Sequence, residues 1–476
     1  MTSSPEGPGR VASAMDAATA VFAALGLILV CTGPYRDVFD IGGGSVISIG
    51  WMHAAFAAAA IAAVRHAALP RPTLLASVRQ WRGDLQRRPA FADALLAFWL
   101  TRPTVLFVGL LATATIGVAP AAKDALLVAR EPLRGLPARW DAQWYAGLAV
   151  HGYEWQRSFD PQQNLAFFPA YPLLIRSLGV ATGAFRAGVP PEHQIARLTW
   201  CGLSISLFAF FWAARYFGKL AREMMEESRA RAALLLLSAY PFALFFSAAY
   251  TESLFLLTAL AAWFHFRRGE HLAAGGWALL AGLTRPNGCF LSIPLGLLAL
   301  GMRDAPGNGT IEGGLWRRLI VAAMPGIGML IFTAYLYQMT GIWFAWSKTH
   351  AAWGRVLGGE TPLASLTGLG SDGLLGFASD HPYDLLNGLG LLLALLPVRA
   401  VWRLSPAWTI FVLVNVLVPL AAGGLLSMGR LTSTLFPVFL ACGMSMSPRL
   451  ATAATVGFAV VQGLLAALFY TWRGVY

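Results

Sequence analysis

The sequence predicts an all-α, polytopic integral membrane protein, and three features of its composition and pattern indicate this fold. Of its 476 residues, 57% are hydrophobic and 12% are charged, whereas roughly 25% are charged in soluble domains. Apolar runs recur at lengths near the roughly 17–25 residues that cross a bilayer as a helix. The 49 glycines and 17 tryptophans suit packed transmembrane helices with interfacial aromatic belts.

The apolar runs predict about 13 transmembrane helices. Between residues 271 and 302, two shorter runs are separated by Thr284-Arg285-Pro286-Asn287-Gly288 and predict a tight helical pair whose turn reaches one membrane face. The other predicted spans are residues 17–33, 45–64, 103–121, 195–216, 232–249, 252–267, 318–339, 384–399, 406–425, 431–446 and 451–471.

The basic residues cluster between apolar runs, so the formal net charge of +12 is interpreted as topogenic charge and not as a nucleic-acid-binding surface. Their asymmetry predicts a cytoplasmic N-terminus and an outer C-terminus. Two long segments, about 122–194 and 341–383, then lie outside. The basic residues assigned to cytoplasmic loops include Arg65, Arg71, Arg82, Arg102, Arg215, Arg267, Arg303, Arg403 and Arg449.

Two regions are predicted. Residues 1–90 comprise a cytoplasmic tail, an extra transmembrane hairpin and a basic cytoplasmic stretch, and residues 91–476 form the main membrane domain. Within this division, residues 66–101 are predicted to form a basic amphipathic helix on an anionic lipid surface. The N-terminal residues lack the profile of a cleaved signal peptide, so the first apolar run is expected to remain as a helix.

The cysteines and the short motifs exclude several kinds of site. No CxxC or Cys/His ligand spacing is present, so neither a zinc site nor a disulfide framework is predicted. No DxD, P-loop or Rossmann glycine pattern is present, which argues against a cytoplasmic nucleotide-dependent enzyme. Neither a metal ion nor another cofactor is expected. The four cysteines, interpreted as packing residues, are Cys31, Cys201, Cys289 and Cys442.

Ionisable residues in apolar surroundings are costly and mark the candidate site. In a short helix, Trp140, Trp144 and His151 share one stripe and Asp141 lies on the adjacent face. Such a helix would lay its indoles among lipid headgroups and turn the carboxylate toward the protein. The competing interpretation is an ordinary aromatic anchor whose aspartate complements the helix dipole. Glu154 follows in the same segment and is also a candidate.

Four more candidates lie further along the chain. Glu252 either caps the helix that follows it or holds a substrate hydroxyl or a basic residue. Arg285 and Arg430 each suit a phosphate group, which guanidinium binds bidentately, although a snorkelling side chain is an equally good interpretation. Lys348 lies among tryptophans near His350, a mixture that suits either sugar stacking or headgroup contact.

Taken in order, five motifs resemble the PIG-V family, which includes the second mannosyltransferase of GPI-anchor assembly and bacterial relatives. The resemblance runs from about residue 103 to the C-terminus, and the first two predicted spans have no counterpart in it. The motifs are Arg139-Trp140-Asp141 with Gly152-Tyr153, Ala166-Phe167-Phe168-Pro169, Tyr250-Thr251-Glu252-Ser253, Arg285-Pro286-Asn287-Gly288, and Ser427-Met428-Gly429-Arg430 with Phe436-Pro437.

This resemblance implies a GT-C membrane glycosyltransferase in the plasma membrane, with its active site facing outside. It implies a polyprenyl-phosphate sugar donor, usually mannose, transfer with inversion, and a catalytic carboxylate at the position of Asp141. Direct displacement needs one base for the acceptor hydroxyl and cations to meet the leaving phosphate. The expected residues around the substrate are Trp140, Arg285, Arg430, Glu252, Lys348, His151 and Glu154.

Three other interpretations remain open. The same mechanism could use another lipid-linked sugar, such as glucose or an arabinofuranose. A transporter or lipid flippase could use the same charged residues as a substrate pathway, although no internal repeat of the kind common in transporters is visible. A structural scaffold would not require Asp141 or Arg285. The acceptor, whether a glycan, a glycolipid or a protein, is not specified by the sequence.

Overall fold

Within the residues that the computed structural model describes, the chain is almost entirely helical, which confirms the predicted all-α membrane class. Six helices are long and apolar enough to cross a membrane, or seven if one bent pair forms a single span. The predicted number of about 13 spans therefore stays a prediction. The described residues are 11–12, 14–23, 35–39, 45–49, 51–68, 83, 87–120, 122, 133–304, 313–356 and 373–475.

The described chain divides into two compact units, residues 1–92 and 93–476. The first contains helix α1 (Ala14–Ala23) and helix α2 (Trp51–Ala68). Between them, strand β1 (Tyr35–Phe39) pairs antiparallel with strand β2 (Ser45–Ile49). The predicted span 45–64 was therefore wrong at its start, where the β-branched sequence SVISI forms a strand. Residues 24–34, with Cys31 and half of the first predicted span, lie outside the described residues.

A buried ion pair joins the two helices of the first unit. Arg65 Nε lies 2.7 Å from Asp16 Oδ1, and both side chains are almost fully buried. The assignment of Arg65 to a loop was therefore wrong, because Arg65 lies within α2, where Asp16 balances its charge. The side of the membrane assigned to it stays a prediction. Most of the basic stretch that follows it, residues 69–82 and 84–86, lies outside the described residues.

The second unit begins within a long helix and continues as a bundle of long helices separated by short ones. Its helices include α3 (Pro89–Thr115), α4 (Ala142–His151), α5 (Ala170–Ala181), α6 (Pro191–Arg222), α7 (Glu227–Ala239), α8 (Glu252–Arg267), α9 (His271–Thr284), α10 (Ser292–Ala299), α11 (Leu315–Thr340), α12 (Ala345–Thr349), α13 (Pro382–Leu395), α14 (Val398–Leu404), α15 (Pro406–Gly423), α16 (Met428–Thr432), α17 (Phe436–Ser445) and α18 (Pro448–Tyr470). Short 3₁₀ segments are Asn164–Ala166, Pro241–Ser247, Pro286–Leu291 and His350–Trp353.

Helix α3 corrects three predictions. It begins at Pro89, so it includes the last third of the stretch 66–101 that was predicted to lie on the lipid surface, and it ends before the predicted limit of span 103–121. Arg102, assigned to a cytoplasmic loop, lies inside this helix and is fully buried. Because the charged residue interrupts the apolar run, the sequence pattern hid the continuity of the helix.

Arg102 and two other polar side chains satisfy backbone carbonyls at a broken membrane helix. Helix α7 and the 3₁₀ segment Pro241–Ser247 meet at an angle of 77°, which frees carbonyls that a straight helix would use. Arg102 donates to Ser238 O at 2.6 Å and to Ala243 O at 2.5 Å. Gln462 donates to Tyr240 O at 2.8 Å, and the Tyr470 hydroxyl donates to Ser247 O at 2.5 Å. We call Arg102, Gln462 and Tyr470 the carbonyl caps.

The predicted break at Arg285 is present, and glycines allow the tight packing around it. Helix α9 ends at Thr284, and the 3₁₀ segment Pro286–Leu291 follows. A Cβ on Gly282 would lie 1.9 Å from Pro325 O in α11, and one on Gly288 would lie 2.0 Å from Ala281 O. Larger residues at these two positions would push α9 away from its neighbours and displace Arg285.

Candidate active site

The charged residues singled out in the sequence converge on one cavity of the second unit, with a volume of about 1350 Å³. This volume exceeds the roughly 300–1,000 Å³ typical of a pocket for one small ligand, so it leaves room for two substrates. Glu252 lies beside it, next to the lining residue Thr251. The predicted residues that line the cavity are Trp140, Asp141, His151, Glu154, Arg285, Lys348 and Arg430.

Two carboxylates and two guanidinium groups alternate in a chain of contacts at this cavity. Arg430 Nη1 donates to Asp141 Oδ2 at 2.7 Å, and Arg430 Nε lies 2.7 Å from Glu252 Oε1. Arg285 Nη1 donates to the same Glu252 oxygen at 3.2 Å. We call Asp141, Arg430, Glu252 and Arg285 the ion-pair network, and its two positive and two negative charges balance.

Burial makes each member of the ion-pair network depend on the others. Glu252 is fully buried, whereas the Asp141 side chain retains 19% of its exposure toward the cavity. Burial lowers the pKa of Arg430, but the charges of Glu252 and Asp141 outweigh this effect and hold that pKa well above its usual value. A buried carboxylate that loses its cation is strongly destabilising, so Glu252 requires at least one of its two arginines. Its alternative roles as a helix cap and as a substrate contact are not needed to explain its position.

Asp141 is held in place by its backbone and by its neighbours in the sequence. Its N–H donates to the Tyr250 hydroxyl at 3.0 Å, and Arg139, which is fully buried, donates to Tyr470 O at 2.6 Å. Trp140 packs against Trp472 with ring centroids 4.7 Å apart. The motif Arg139-Trp140-Asp141 therefore ties α4 to the end of α18. Among the described residues, the second carboxylate oxygen of Asp141, Oδ1, contacts no donor and is available to a ligand.

Left-handed backbone conformations precede three of the short helices around the cavity. Trp140 has φ 52°, Phe344 has φ 53° and Ser427 has φ 57°. Each directly precedes a short segment that carries a site residue, namely Asp141, Lys348 and Arg430 respectively. Because such conformations are unfavourable for residues other than glycine, they persist only where surrounding contacts compensate, and they concentrate at functional sites.

The segment that carries Arg430 is fixed by a side chain that the sequence analysis missed. Asn387 is buried in α13, and its Oδ1 accepts a hydrogen bond from Gly429 N–H at 2.8 Å. Gly429 packs directly on Phe242, since a Cβ there would lie 2.2 Å from the ring. The predicted span 431–446 was wrong at this point, because α16 and α17 are separate helices. A lone asparagine in an apolar run was the available signal.

Three aromatic rings contact one another on the cavity wall. The Trp144 and Phe167 rings are stacked with centroids 5.7 Å apart, and Trp353 lies 5.4 Å from Trp144 and 5.5 Å from Phe167. All three residues line the cavity. Faces of aromatic rings suit both the apolar side of a sugar and the first isoprene units of a lipid, so this group fits either part of a lipid-linked sugar.

The predicted Lys348 and His350 also line the cavity, and Arg355, which the sequence analysis missed, lies near them. Burial lowers the pKa of His350 to about 4, so the imidazole is neutral at pH 7. His350 Nδ1 lies 2.7 Å from Trp346 O, which assigns the ring proton to this nitrogen. Burial, together with the like charges of Arg430 and Arg285, lowers the pKa of Arg355 to about 10, so Arg355 remains charged.

In the part of the chain that the structure describes, no three His, Cys, Asp or Glu side chains are placed to hold a metal ion. The three cysteines there, Cys201, Cys289 and Cys442, are free. The groups at the cavity that can act chemically are thus carboxylates, guanidinium groups, an ammonium group and a neutral imidazole. Such a set suits proton transfer and the binding of an anion.

Comparison with known proteins gives the same family that the motifs resemble. Residues 124–297 match the model of the mannosyltransferase (PIG-V) family. The matched region includes Asp141, Glu252 and Arg285, whereas Arg430 lies beyond it. The predicted resemblance is therefore confirmed over this part of the chain. No solved structure matches the chain.

Curated relatives match over a similar region. The chain is 28% identical over 172 residues to GPI mannosyltransferase 2 of Drosophila pseudoobscura pseudoobscura, and the aligned region covers 36% of this chain and 35% of the relative. It is 31% identical over 160 residues to GPI alpha-1,6-mannosyltransferase 2 of Rattus norvegicus, and the aligned region covers 33% of this chain and 30% of the relative. The chain thus spans about a third of the length of these relatives.

Proposed function

We propose that this protein is a membrane mannosyltransferase that moves mannose from a polyprenyl-phosphate donor to an acceptor hydroxyl. The transfer takes place at the outer face of the membrane and inverts the anomeric configuration. Asp141 is the general base. The lipid bilayer holds the donor, and the acceptor is a glycan, a glycolipid or a protein. The active site faces outward from the plasma membrane. The N-terminal region predicted from the sequence, residues 1–90, is an addition to the catalytic membrane domain of residues 91–476.

The observation that carries this proposal is the pairing of Asp141 with Arg430 at the wall of the large cavity. The two oxygens of Asp141 differ, because Oδ2 accepts from Arg430 at 2.7 Å and Oδ1 contacts no donor among the described residues. The pairing orients the carboxylate, and Oδ1 remains open to accept a hydrogen bond from an acceptor hydroxyl. Support also comes from the family match, which covers this aspartate.

The reaction follows from these groups. The acceptor oxygen attacks the anomeric carbon while the bond from this carbon to the phosphate oxygen breaks, and the electron pair leaves with the phosphate. Asp141 Oδ1 takes the hydroxyl proton as the new bond forms. The oxocarbenium-like transition state resembles that of inverting glycosidases. Because phosphate is a good leaving group, the reaction needs cations near it and no general acid.

A transfer assay with purified protein in vesicles tests this function. The donors are labelled polyprenyl phosphomannose, polyprenyl phosphoglucose and polyprenyl phosphoarabinofuranose, and the acceptors are extracted envelope lipids, glycans and proteins. We expect transfer from the mannose donor. The one-bond carbon–hydrogen NMR coupling at the anomeric carbon of the product is expected to establish inversion. Transfer from another sugar alone would replace the proposed donor. Movement of the lipid-linked sugar across the vesicle without a new glycosidic bond would overturn the enzymatic function.

A further inference from the structure

Charge balance within the cavity separates its cations into two groups. Arg285 and Arg430 belong to the ion-pair network, in which both carboxylates are already used. Drawing either arginine toward a substrate would weaken the contacts of the fully buried Glu252, and a buried charge left unpaired is strongly destabilising. The expectation that these two arginines meet the phosphate stays a prediction, and the charge balance favours other cations of the cavity for that role.

The second group consists of Arg355 and Lys348, which have no carboxylate partner in the described part of the chain. Arg355 Nη2 donates to Leu426 O at 2.8 Å, and a Cβ on Gly423 would lie 3.0 Å from its Cγ. The Lys348 ammonium lies 5.9 Å from the centroid of the Phe159 ring. Both residues line the cavity, so their two positive charges are available to a ligand there.

Arg355 is positioned close to the ion-pair network. Like charges on Arg430 and Arg285, and the opposite charge of Asp141, all act on its guanidinium group. Its backbone is fixed by Gly354, which has φ 75°, and by the hydrogen bond from Arg355 N–H to His350 O at 3.0 Å. A guanidinium group held in this way has little conformational freedom to lose when it binds a tetrahedral anion.

We propose that Arg355 and Lys348 bind the phosphate that leaves in the reaction, and that their two charges match its final state better than its initial state. A phosphodiester donor carries one negative charge. When the bond from the sugar to the phosphate oxygen breaks, the product is a monoester whose charge at pH 7 is about −1.5 to −2. Interactions that strengthen as this charge develops lower the barrier to the reaction. The assignment rests on the proposed function, and it predicts tight binding of the product.

Direct binding of a short-chain polyprenyl monophosphate tests the assignment without any transfer reaction. The probe is titrated into the full-length protein in nanodiscs, and native mass spectrometry counts the bound molecules. We expect Arg355→Ala to weaken binding about 10- to 100-fold, as expected for the loss of a charge-assisted contact. Lys348→Ala should have a smaller effect, since an ammonium group binds as a point charge. Arg355→Lys should lie between the wild type and Arg355→Ala.

Controls separate a phosphate site from a general effect of charge. Arg157 is exposed and lies outside the cavity lining, and its left-handed backbone tolerates asparagine, so Arg157→Asn should leave binding unchanged. Phosphatidylglycerol and inorganic phosphate distinguish the sources of the anion. Competition by phosphatidylglycerol at equal concentration would make this a lipid headgroup site and overturn the assignment to the leaving phosphate. Competition by inorganic phosphate only in large excess is expected.

The outcomes for the site and for the function can be told apart. Arg355-dependent binding of the monophosphate in a protein that transfers no sugar would preserve the site and refute the proposed function. A protein that transfers mannose but still binds the monophosphate when Arg355→Ala and Lys348→Ala are combined would refute the site and preserve the function. A wild-type protein that does not bind the monophosphate at all would also refute the site. The melting temperature of each variant excludes misfolding as the cause.

Discussion

Arg102 is fully buried and the Arg430 side chain is 16% exposed, and these two arginines of the same unit have different partners. Arg102 donates to backbone carbonyls at the break after α7, whereas Arg430 contacts the carboxylates of Asp141 and Glu252. Carbonyls freed by a broken helix need hydrogen-bond donors whatever the activity of the protein, so the contacts of Arg102 serve the fold. Asp141 lines the cavity and no helix requires its carboxylate, so the proposed function assigns the second arrangement to chemistry. The partners of the two arginines distinguish them most clearly.

The largest effect is expected at Arg430. Arg430→Met leaves Asp141 without its cation and Glu252 with Arg285 alone. We expect mannose transfer to fall by about 10²- to 10³-fold, the usual cost of removing one preorganised electrostatic contact from an active site. The measurement is the initial rate per mole of folded protein, as judged by gel filtration. Near-normal transfer would place Arg430 with Arg102 among the residues that serve the fold.

Arg102→Met is expected to have the opposite pattern. Its hydrogen bonds to Ser238 O and Ala243 O would be lost. Ser238 O would keep the donor Gln462 at 3.1 Å, whereas Ala243 O would lose a charged donor in apolar surroundings. The cost is on the order of 3 kcal/mol or more, because hydrogen bonds from a charged group are the strong ones. We expect a lower melting temperature and a lower yield, with a transfer rate per folded molecule within about threefold of wild type. A stable but inactive variant would contradict the comparison.

A substitution at Asn387 tests whether the position of Arg430 affects transfer while the ion-pair network keeps all its members. Asn387→Ala removes the acceptor of Gly429 N–H and should loosen the segment that carries Arg430. We expect about a tenfold loss of kcat, as small displacements of positioned groups are costly. Asn387→Asp, which keeps an acceptor oxygen, should retain more activity than the alanine variant. Equal activity in the wild type and the alanine variant would show that α16 is held without this hydrogen bond.

The smallest effect concerns stability and pH. Burial lowers the pKa of His350 from 6.5 to about 4, so the unfolded chain binds a proton more readily than the folded protein between these values. The stability contributed by neutral His350 is present above about pH 6.5 and is lost as pH falls toward 4. In His350→Gln the free energy of unfolding should fall less between pH 6.5 and 4 than in the wild type, by on the order of 1–3 kcal/mol. Melting temperatures measured across this pH range check the difference. An unchanged slope would contradict the burial of His350.

The sequence predicted which residues matter better than it predicted how they pair. Ionisable residues stand out in apolar runs because their burial is costly, so Asp141, Glu252, Arg285 and Arg430 could all be identified from the sequence. Their pairing could not, since Asp141 and Arg430 are 289 residues apart and only the folded chain brings them together. The same argument failed for Arg102. An arginine in a loop and a buried arginine that donates to backbone carbonyls give the same pattern in a single sequence.

Secondary structure shows the same limit. Long apolar runs such as 318–339 and 406–425 became helices close to their predicted bounds, Leu315–Thr340 and Pro406–Gly423. Errors arose where tertiary contacts replace helical hydrogen bonds, as at the break after α7 and between α16 and α17. Arg355 was missed because it follows a cluster of tryptophans that suggested sugar or headgroup contact. Its role depends on which carboxylates are already paired.

The central claim is that Asp141 takes the proton of the acceptor, and Asp141→Asn tests it most directly. Asparagine keeps the shape and an oxygen that can face Arg430, but it cannot accept a proton. The control is Asp160→Asn, which removes an exposed carboxylate that lies outside the cavity lining and accepts from Ser158. Mannose transfer from labelled polyprenyl phosphomannose is measured per mole of folded protein. We predict a loss of about 100-fold or more in Asp141→Asn and near-normal transfer in Asp160→Asn. Near-normal transfer in Asp141→Asn would remove Asp141 as the base.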